Sequence, residues 1–503
     1  MHKGIVAAGH RATAAAATEI LRAGGNAFDA TIAGLYAACV AEPVLASPGG
    51  GGFLMAHDPD TGTNALYDFF VDTPRHKRSA DEQQFFAVEV DFGPATQEFH
   101  IGLGSSATPG FIPGLFAVHE AHGRLPMADL IAPAIAAARD GVTVNAFQAY
   151  LFKIAAPIYM HERQSAAIFA PGGEPLREGD RLLNPALAEA YALLAREGKG
   201  LFCDGEVGRE MVRQSRQLGG HLDARDLHDY EVVRRAPLLA RHKGADLYLN
   251  PAPAASGPLI AFSLRLIESL TGDRAPDIVE IAEAMAATNA ARRTYGLTPE
   301  RLLDGDVIAE HLAVLMHHAE AYRGTTHISV VDAEGRAASA TVSNGEGNGF
   351  LVGPFGFMLN NMLGEEDVNP HGAEGWPAGV RLASMMAPTI AMRDDGELLV
   401  LGSGGSNRIR SAIAQVLAHA VLNNKPIDQS VLAPRLHVEE NHLEIEAGFS
   451  TEEEELLQER FPSNRVWPDR SMFFGGCHAV SRAANGKLAA AGDPRRAGAG
   501  LVL

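Results

Sequence analysis

Apolar and polar residues are spaced with a helical period in some segments and alternate with a period of two in others. This spacing divides the chain into a mainly helical part and a mainly β-stranded part. Residues 11–23 favour a helix that stops at Gly24-Gly25, and a second helix is predicted from about residue 27 to residue 42, before a proline. Helical spacing also covers later segments, with one mixed pattern among them: 114–142, 185–220, 226–240 (mixed) and 256–323.

Alternation with a period of two marks the predicted strands. The segments FLMAHD and NALYDFF, joined by the turn DPDTG, predict a β-hairpin, whereas residues 47–52 before them are too rich in glycine for helix or strand. From Thr325 to about residue 405 strands and glycine-rich loops dominate, and a helix is predicted over 408–423. No repeat or long linker separates independent domains, so we expect a mixed α and β protein built in stacked layers.

The most informative segment is a pair of strands that begins at residue 325. Residues 325–332 and 336–343 both alternate, and the tight turn DAEG between them places Thr325 opposite Val342 or Ser343 in an antiparallel hairpin. A hydroxyl residue facing another one across two strands is most often an ordinary cross-strand pair. On the pattern alone, that interpretation is favoured over a catalytic one.

Charge and composition narrow the possible partners. The 503 residues include 42 Lys and Arg against 61 Asp and Glu, a formal net charge of −19, which argues against a broad basic surface for nucleic acid or anionic lipid. Apolar residues make up 46% of the chain, which excludes a disordered protein. The most apolar window, residues 30–41, falls short of the roughly twenty residues that a membrane span needs. We therefore expect a cytoplasmic protein without a signal peptide, and neither nucleic acid nor membrane as a partner.

Several other kinds of site are disfavoured by spacing. The glycine clusters lack the GxGxxG and GxxxxGK[ST] patterns of phosphate loops, and no GxSxG elbow is present. The three cysteines, Cys39, Cys203 and Cys477, offer no disulfide framework and are expected to be buried thiols. Two groups of histidines lack the spacing of metal ligands and are expected to be solvated helix residues: His437 and His442, and His311, His317 and His318. We therefore predict no metal and no organic cofactor.

Motifs along nearly the whole chain, in consistent order, resemble those of the γ-glutamyltranspeptidase family. The matching segments are AGHRATAAAATEILRAGGNAFDATIA, EPVLASPGGGGFLM, SSATPGFIPGLFAVHEAHGRLPMADLIAPAIAAARDGVTVN, TTHISVVDAEGRAASATVSN, LNNML, LASMMAPTI, GSGGSNRI, LAPRLH and GDPRR. This family belongs to the N-terminal-nucleophile hydrolases. The resemblance implies an α+β fold, a four-layer αββα sandwich.

The resemblance also implies a precursor that cuts itself. The cleaved bond would be Gly324–Thr325, which gives a large subunit of residues 1–324 and a small subunit of residues 325–503 within one αββα unit. Thr325 would be the nucleophile, and its freed α-amine would act as the base for its own hydroxyl. Thr326 would be structural.

Three further residues take catalytic roles by the same resemblance. Ser343 aligns with the hydroxyl residue that hydrogen-bonds the nucleophile, which agrees with its place in the predicted hairpin. Gly404 and Gly405 match the glycine pair whose N–H groups form the oxyanion hole, where the lack of a Cβ leaves room for the tetrahedral oxygen.

The sequence departs from the family where the substrate carboxylate is held. Where family members place an arginine that clamps the glutamyl α-carboxylate, this chain has Phe70, with Arg75 nearby as a possible substitute. An aromatic ring cannot replace a bidentate guanidinium. The acyl pocket is therefore expected to favour a more apolar group.

Other substrate-binding positions change as well. Met362 stands where the family has Gln or Glu, and Glu365 alone retains an acidic group for the substrate amine. The paired serines appear as Ala383-Ser384, and the asparagine after the orienting hydroxyl appears one place early, as Asn344. These changes indicate that the chemistry is retained while glutathione specificity is weakened.

Three functions remain open on these grounds. The first is a self-cleaving γ-glutamyltransferase-like amidohydrolase, an enzyme with water as its main acceptor, acting on γ-glutamyl or related small-molecule amides. The second is an acylase or biosynthetic hydrolase for a more apolar substrate. The third, from a different class, is a non-catalytic scaffold that kept the fold. The expected protein partners are the large and small subunits of one precursor, and assembly of such heterodimers into a dimer is left open.

Overall fold

Two large antiparallel sheets form the centre of the protein. The structure, a computed structural model, describes residues 3–91, 96–272, 274–295, 324–365, 368–369, 372–439 and 442–503. The strands are β1 (Gly4–Ala8), β2 (Gly51–Asp58), β3 (Thr63–Phe69), β4 (Phe86–Asp91), β5 (Thr96–Ile101), β6 (Val142–Thr143), β7 (Arg181–Leu182), β8 (Val233–Arg235), β9 (Leu238–His242), β10 (Ala245–Leu249), β11 (Thr326–Asp332), β12 (Ala337–Ser343), β13 (Thr389–Arg393), β14 (Leu398–Gly404), β15 (Leu436–Glu439), β16 (His442–Ile445), β17 (Asn464–Val466), β18 (Gly476–Arg482), β19 (Leu488–Ala491) and β20 (Ala499–Val502).

The helices precede, connect and cover these strands. They are α1 (Arg11–Arg22), α2 (Ala27–Ala41), α3 (Phe111–His122), α4 (Met127–Asp140), α5 (Ala146–Ile154), α6 (Ala156–Tyr159), α7 (Arg163–Phe169), α8 (Pro185–Glu197), α9 (Gly200–Cys203), α10 (Glu206–Gln217), α11 (Ala224–His228), α12 (Ser256–Thr271), α13 (Ile278–Tyr295), α14 (Gly372–Gly375), α15 (Arg408–Leu417), α16 (Ile427–Leu432) and α17 (Thr451–Arg460). Short 3₁₀ turns cover Leu103–Ser105, Gly353–Phe355, Met362–Gly364, Met472–Phe474 and Pro494–Arg496, and a π-helical turn, Ala418–Leu422, continues α15. Within the described part of the chain, no helix is long and apolar enough to cross a membrane.

Both sheets combine strands from before and after residue 325. The first sheet has the order β20-β1-β11-β12-β2-β3-β8, and the second has the order β19-β18-β14-β13-β10-β9. In the first sheet β11 pairs with β1 on one side and with β12 on the other, and β12 pairs with β2. The hairpin that begins next to Thr325 therefore lies in the middle of the sheet.

The side chains of each strand divide between two cores, as the period of two requires. In β1, Val6 and Ala8 pack in a core with α1 and α2, whereas Ile5 and Ala7 join a core that contains Leu399 of the second sheet. The second sheet is covered on its other face by α12, α13 and α15, whose buried residues belong to this same core. The arrangement is helix, sheet, sheet, helix, so the predicted αββα sandwich is confirmed.

Most predicted elements form, including α1, α2 and the β2–β3 hairpin, but some predictions are wrong. Gly51 and Gly52 lie inside β2, where a Cβ on Gly51 would come within 2.7 Å of the Phe69 carbonyl oxygen. The mixed segment resolves into α11 followed by β8 and β9. The helical prediction for residues 296–323 lies outside the described residues.

The predictions for histidines and cysteines are also corrected in part. His437 and His442 lie on strands β15 and β16, not on a helix, and His437 is buried with its Nδ1 2.9 Å from Ser411 Oγ. His311, His317 and His318 lie outside the described residues. Cys39 and Cys477 are buried as expected, but Cys203 is only half-buried.

Candidate active site

The register of the β11–β12 hairpin places Thr325 at the start of a central strand. Thr326 pairs with Val342, so the next position outward sets Thr325 opposite Ser343, which confirms the predicted pairing. Both residues are buried, with Thr325 6% and Ser343 7% exposed. The predicted cross-strand relationship is therefore real, and the neighbouring residues decide what it can do.

The side chains of Thr325 and Thr326 point to opposite faces of the first sheet, because neighbouring side chains alternate along a strand. Thr326 faces the helical layer, where its hydroxyl donates to Glu42 Oε2 over 2.6 Å, next to the end of α2. Thr325 faces the second sheet, as His327 does two residues later. A Cβ on Gly402 would lie 2.3 Å from the His327 ring, and a Cβ on Gly404 would lie 2.1 Å from the Thr325 carbonyl oxygen. Glycines of β14 thus let the second sheet approach Thr325 closely.

Ser343 contacts the bond before Thr325. Its Oγ donates a hydrogen bond of 2.5 Å to the carbonyl oxygen of Gly324 and accepts one of 3.0 Å from the N–H of Gly345. The resemblance implied that Ser343 would hydrogen-bond the nucleophile. In the continuous chain the serine hydroxyl instead polarises the carbonyl group that the Thr325 hydroxyl would attack.

Two charged side chains hold the backbone on either side of this bond. Glu346 accepts a hydrogen bond from the N–H of Gly324 over 3.1 Å, and Arg496 Nη1 donates to the carbonyl oxygen of Thr325 over 3.3 Å. Glu346 is 6% and Arg496 3% exposed. The backbone from Gly324 to Thr325 is therefore fixed at three polar points in a largely dry environment.

Burial also changes the charge state of nearby groups. Burial raises the pKa of Glu42 to about 7, although the hydroxyls of Thr13 and Thr326, which donate to it, work in the opposite direction. Burial lowers the pKa of Arg496 to about 10, with the neighbouring Arg408 as a further cause. Arg496 thus remains a cation at neutral pH, whereas Glu42 is near the midpoint of its titration.

A pocket opens beside Thr325, and many of the predicted site residues line it. The predicted residues that line it are Phe70, Thr325, Ser343, Met362, Glu365 and Ser384. Lining residues that the sequence analysis did not single out as site residues are Val368, Met385, Met386, Ser406 and Ile409. Met385 and Met386 belong to the quoted segment LASMMAPTI, and Ser406 belongs to GSGGSNRI, so the motifs themselves carried this signal.

Four predicted residues do not line this pocket. Asn344 is fully buried and Ala383 is half-buried. Gly404 lies against the Thr325 carbonyl, and Gly405, which has a φ of +124°, follows it at the end of β14. The last two therefore lie beside the reacting backbone and not around the acyl pocket.

Arg75, the suggested substitute for the missing arginine, lies elsewhere. It is exposed, its Nη2 is 3.8 Å from Asp229, and it borders a separate surface depression with Asp72 and Glu231. The hypothesis that Arg75 holds a substrate carboxylate in the Thr325 pocket is not supported by this position. The described residues that line the pocket include no arginine or lysine.

No metal site accompanies this arrangement in the described ranges. Within them, no group of three or more His, Cys, Asp or Glu side chains is placed to hold a metal ion. The groups available for chemistry are the Thr325 and Ser343 hydroxyls, the backbone at Gly404 and Gly405, and the charges of Glu346 and Arg496.

Two facing sheets between helical layers, with a threonine before a central strand, form the αββα arrangement expected from the sequence resemblance. The gamma-glutamyltranspeptidase family model matches residues 13–503, so the chain belongs to that family of enzymes. It is 28% identical over 534 residues to the glutathione hydrolase proenzyme of Escherichia coli (strain K12), covering 98% of this chain and 90% of that protein.

Acylases are similar to the chain as well. It is 29% identical over 473 residues to the acylase ACY 1 proenzyme of Pseudomonas sp. (strain V22), covering 89% of this chain and 84% of that protein. The crystal structure of cephalosporin acylase from Bacillus halodurans shares the fold, with a TM-score of 0.86 at 21% identity, covering 100% of this chain and 96% of that one. The predicted enzyme class is confirmed at the level of the family.

Proposed function

We propose that the chain is a precursor that cleaves itself between Gly324 and Thr325 and then acts as an amidohydrolase through Thr325. The observation that carries the proposal is the hydrogen bond from Ser343 Oγ to the Gly324 carbonyl oxygen, at the residue before a strand-initial threonine. The glutathione hydrolase of Escherichia coli and the acylase ACY 1 of Pseudomonas sp. are both called proenzymes, which supports the proposal of a precursor that is cleaved. The resulting subunits would be residues 1–324 and 325–503.

The cleavage step follows from the groups around this bond. The Thr325 hydroxyl oxygen attacks the carbonyl carbon of Gly324 while Ser343 donates to the carbonyl oxygen. The C–N bond breaks, the nitrogen gains a proton and becomes the α-amine of Thr325, and an ester links Gly324 to the Thr325 side chain. Water hydrolyses the ester and leaves a carboxylate on Gly324.

The freed α-amine then serves catalysis. An unperturbed α-amine has a pKa of about 7.7–8.0, which suits it to remove the proton from the Thr325 hydroxyl near neutral pH. Attack on a substrate amide gives an acyl-enzyme, and the departing amine takes up the proton. Water then releases the acid, or an amine accepts the acyl group. The backbone of Gly404 and Gly405 is the proposed oxyanion hole, supported by the close approach of Gly404 to Thr325.

Substitution of the nucleophile tests this proposal directly. Thr325→Ala is expected to remain one chain of 53.2 kDa on a denaturing gel and to hydrolyse no amide. Thr325→Ser, which keeps a hydroxyl group at the same place, is the matched control and should still yield two fragments. Fragmentation of the alanine variant at this bond would overturn the mechanism. A wild-type chain that stays intact and inactive would favour a non-catalytic scaffold.

The lining of the pocket favours an acyl group that is more apolar than γ-glutamyl. Phe70, Met362, Met385, Met386, Val368 and Ile409 supply apolar surface, and Glu365 is the acidic residue among the described lining residues. Among the described lining residues a glutamyl α-carboxylate would find no cationic partner, whereas its α-amine could approach Glu365. The similarity to both glutathione hydrolases and acylases is compatible with this second candidate, an acylase.

A pair of substrates distinguishes the two activities. The comparison is kcat/KM for γ-glutamyl p-nitroanilide and for 4-aminobutyryl p-nitroanilide, which lacks only the α-carboxylate. We expect the two values to agree within about tenfold, because no charge-assisted hydrogen bond to the carboxylate is available. A strong preference for the γ-glutamyl compound would show that a cation reaches the pocket and would favour glutathione hydrolysis.

A further inference from the structure

A second cavity borders Gly324. Gly324 lines both this cavity and the pocket of Phe70. The walls of the second cavity are mostly apolar, with Leu45, Phe99 and Leu151 among them. Mostly apolar walls with a few polar groups are typical of small-molecule sites.

Arg496 supplies a buried cation to this apolar cavity. Its side chain borders the cavity and is 3% exposed, and its Nη1 already donates to the Thr325 carbonyl oxygen. Among the described residues, its Nε–H has no hydrogen-bond acceptor although it is buried. An unpaired buried donor on a guanidinium is costly, and an anionic or carbonyl oxygen would satisfy it.

One carboxylate near Arg496, that of Asp493, is already occupied. Asp493 accepts hydrogen bonds from Arg435 Nη2 over 2.6 Å, from the Cys477 N–H over 2.9 Å and from Arg495 Nη1 over 3.2 Å. It also caps the Pro494–Arg496 turn, where its Oδ1 accepts from the Arg495 N–H over 3.0 Å.

A second acidic residue, Glu346, lines the cavity and accepts hydrogen bonds from the protein itself. Glu346 accepts from the Gly324 N–H over 3.1 Å and from Asn361 Nδ2 over 3.5 Å. Glu346 is thus engaged by the protein, whereas Arg496 presents a buried N–H that has no acceptor among the described residues, flanked by apolar walls.

We infer that this cavity is a binding site for a compact apolar group that carries a carboxylate, with the carboxylate on Arg496 and the alkyl or aryl body among Phe99, Leu151 and Ile154. Because Gly324 borders both this cavity and the acyl pocket, the cavity would receive the leaving portion of the substrate. That last assignment rests on the proposed hydrolase function, whereas the binding site itself does not.

The test measures binding in the Thr325→Ala chain, so that neither cleavage nor catalysis enters. Isothermal titration calorimetry would compare 3-phenylpropanoate with 3-phenylpropanol, propanoate and 3-phenylpropylamine. We expect 3-phenylpropanoate to bind at least about tenfold more tightly than the alcohol or propanoate, because each of these lacks one of the two contacts. Equal affinity for the alcohol, or preference for the amine, would overturn the inference.

Variants connect the binding to this cavity. Arg496→Gln should weaken binding of 3-phenylpropanoate by about tenfold or more, whereas Arg470→Gln, an exposed arginine outside the cavity, should leave it unchanged. Ile154→Phe, which fills part of the cavity, should also weaken it. If Arg496→Gln does not fold, Ile154→Phe decides alone: full affinity in that variant would place the ligand elsewhere and overturn the proposal.

The outcomes separate the two proposals. If the Thr325→Ala chain does not bind 3-phenylpropanoate but the wild-type chain cleaves normally, this site is rejected and the proposed hydrolase function is retained. If the Arg496 and Ile154 variants weaken binding of 3-phenylpropanoate but the wild-type chain never cleaves, the hydrolase function is rejected and the site is retained.

Discussion

The hydroxyl group of Ser343 lies 2.5 Å from the carbonyl oxygen of Gly324 and donates a hydrogen bond to it. The two residues are 19 positions apart in the sequence. They meet because β11 and β12 pair in a register that sets residue 325 opposite residue 343. A donor at this position stabilises the negative charge that develops on the carbonyl oxygen during attack. In the proposed cleavage, Ser343 would therefore act before the α-amine of Thr325 exists.

Removal of this donor should slow the maturation of the chain. Ser343→Ala is expected to reduce the rate of cleavage by roughly ten- to a hundredfold, since a hydrogen bond to a charged group contributes about 1.5–3 kcal/mol. Ser343→Thr keeps the hydroxyl and is the control. The measurement is a time course of newly synthesised protein on a denaturing gel, and equal rates for the alanine variant and the wild type would contradict the role.

The close approach of Gly404 to Thr325 predicts a strict requirement for glycine. In Gly404→Ala the new Cβ would lie 2.1 Å from the Thr325 carbonyl oxygen, so backbone atoms of β11 or β14 must shift. We expect cleavage to be abolished and the free energy of unfolding to fall by about 1–3 kcal/mol.

Gly172→Ala is the matched control for that change, because a Cβ at Gly172 meets no atom within 4 Å. It should cleave and unfold like the wild type. Both variants can be compared by gel analysis and by chemical denaturation, and normal cleavage of Gly404→Ala would show that the two sheets can separate at this point without consequence.

Phe70 makes a specific prediction about selectivity. Its side chain is 1% exposed and stacks on Phe53 with ring centroids 5.5 Å apart. Phe70→Arg should raise the preference for γ-glutamyl over 4-aminobutyryl anilide in kcat/KM by about tenfold, because it adds a cation for the α-carboxylate. It should also lower stability by about 2 kcal/mol or more, since the charge is buried in the absence of substrate.

Phe70→Leu is the comparison for this change, since it reduces volume without adding charge. The ratio of the two kcat/KM values should stay near that of the wild type. A folded Phe70→Arg variant with an unchanged ratio would show that position 70 does not contact the acyl group.

Glu42 predicts how stability depends on pH. Its pKa rises from 4.5 to about 7 on folding, mainly because burial disfavours the charged form. The folded protein therefore binds this proton more tightly than the unfolded chain. The stabilising contribution is complete below pH 4.5 and is lost as the pH rises through 7, a change of roughly 3 kcal/mol.

Glu42→Gln should remove this part of the pH dependence. The change in unfolding free energy from pH 5 to pH 8 should be more positive in this variant than in the wild type. Glu19→Gln, which changes an exposed carboxylate on α1, should follow the wild type. Parallel curves for the wild type and Glu42→Gln would show that Glu42 does not titrate in this range.

Local patterns predicted the hairpin that begins next to Thr325, because a tight turn and two alternating strands fix their register without help from the rest of the chain. The contact of Gly404 with Thr325 could not be predicted in this way, since it depends on how two separate sheets stack. Arg496 and Glu346 were missed for the same reason. The strands of His437 and His442 contain four residues each, which is too short for a period to distinguish strand from helix.

The pairing of strands from both parts of the chain has a consequence for renaturation. In the first sheet, β11 and β12 are flanked by β1 and β2, so a cut before Thr325 would leave two polypeptides joined by hydrogen-bonded ladders on both sides. The intact precursor forms these ladders within one molecule. Once cut and denatured, the two pieces would have to meet by diffusion, so the yield of renatured enzyme should fall on dilution while that of the uncut Thr325→Ala chain should not.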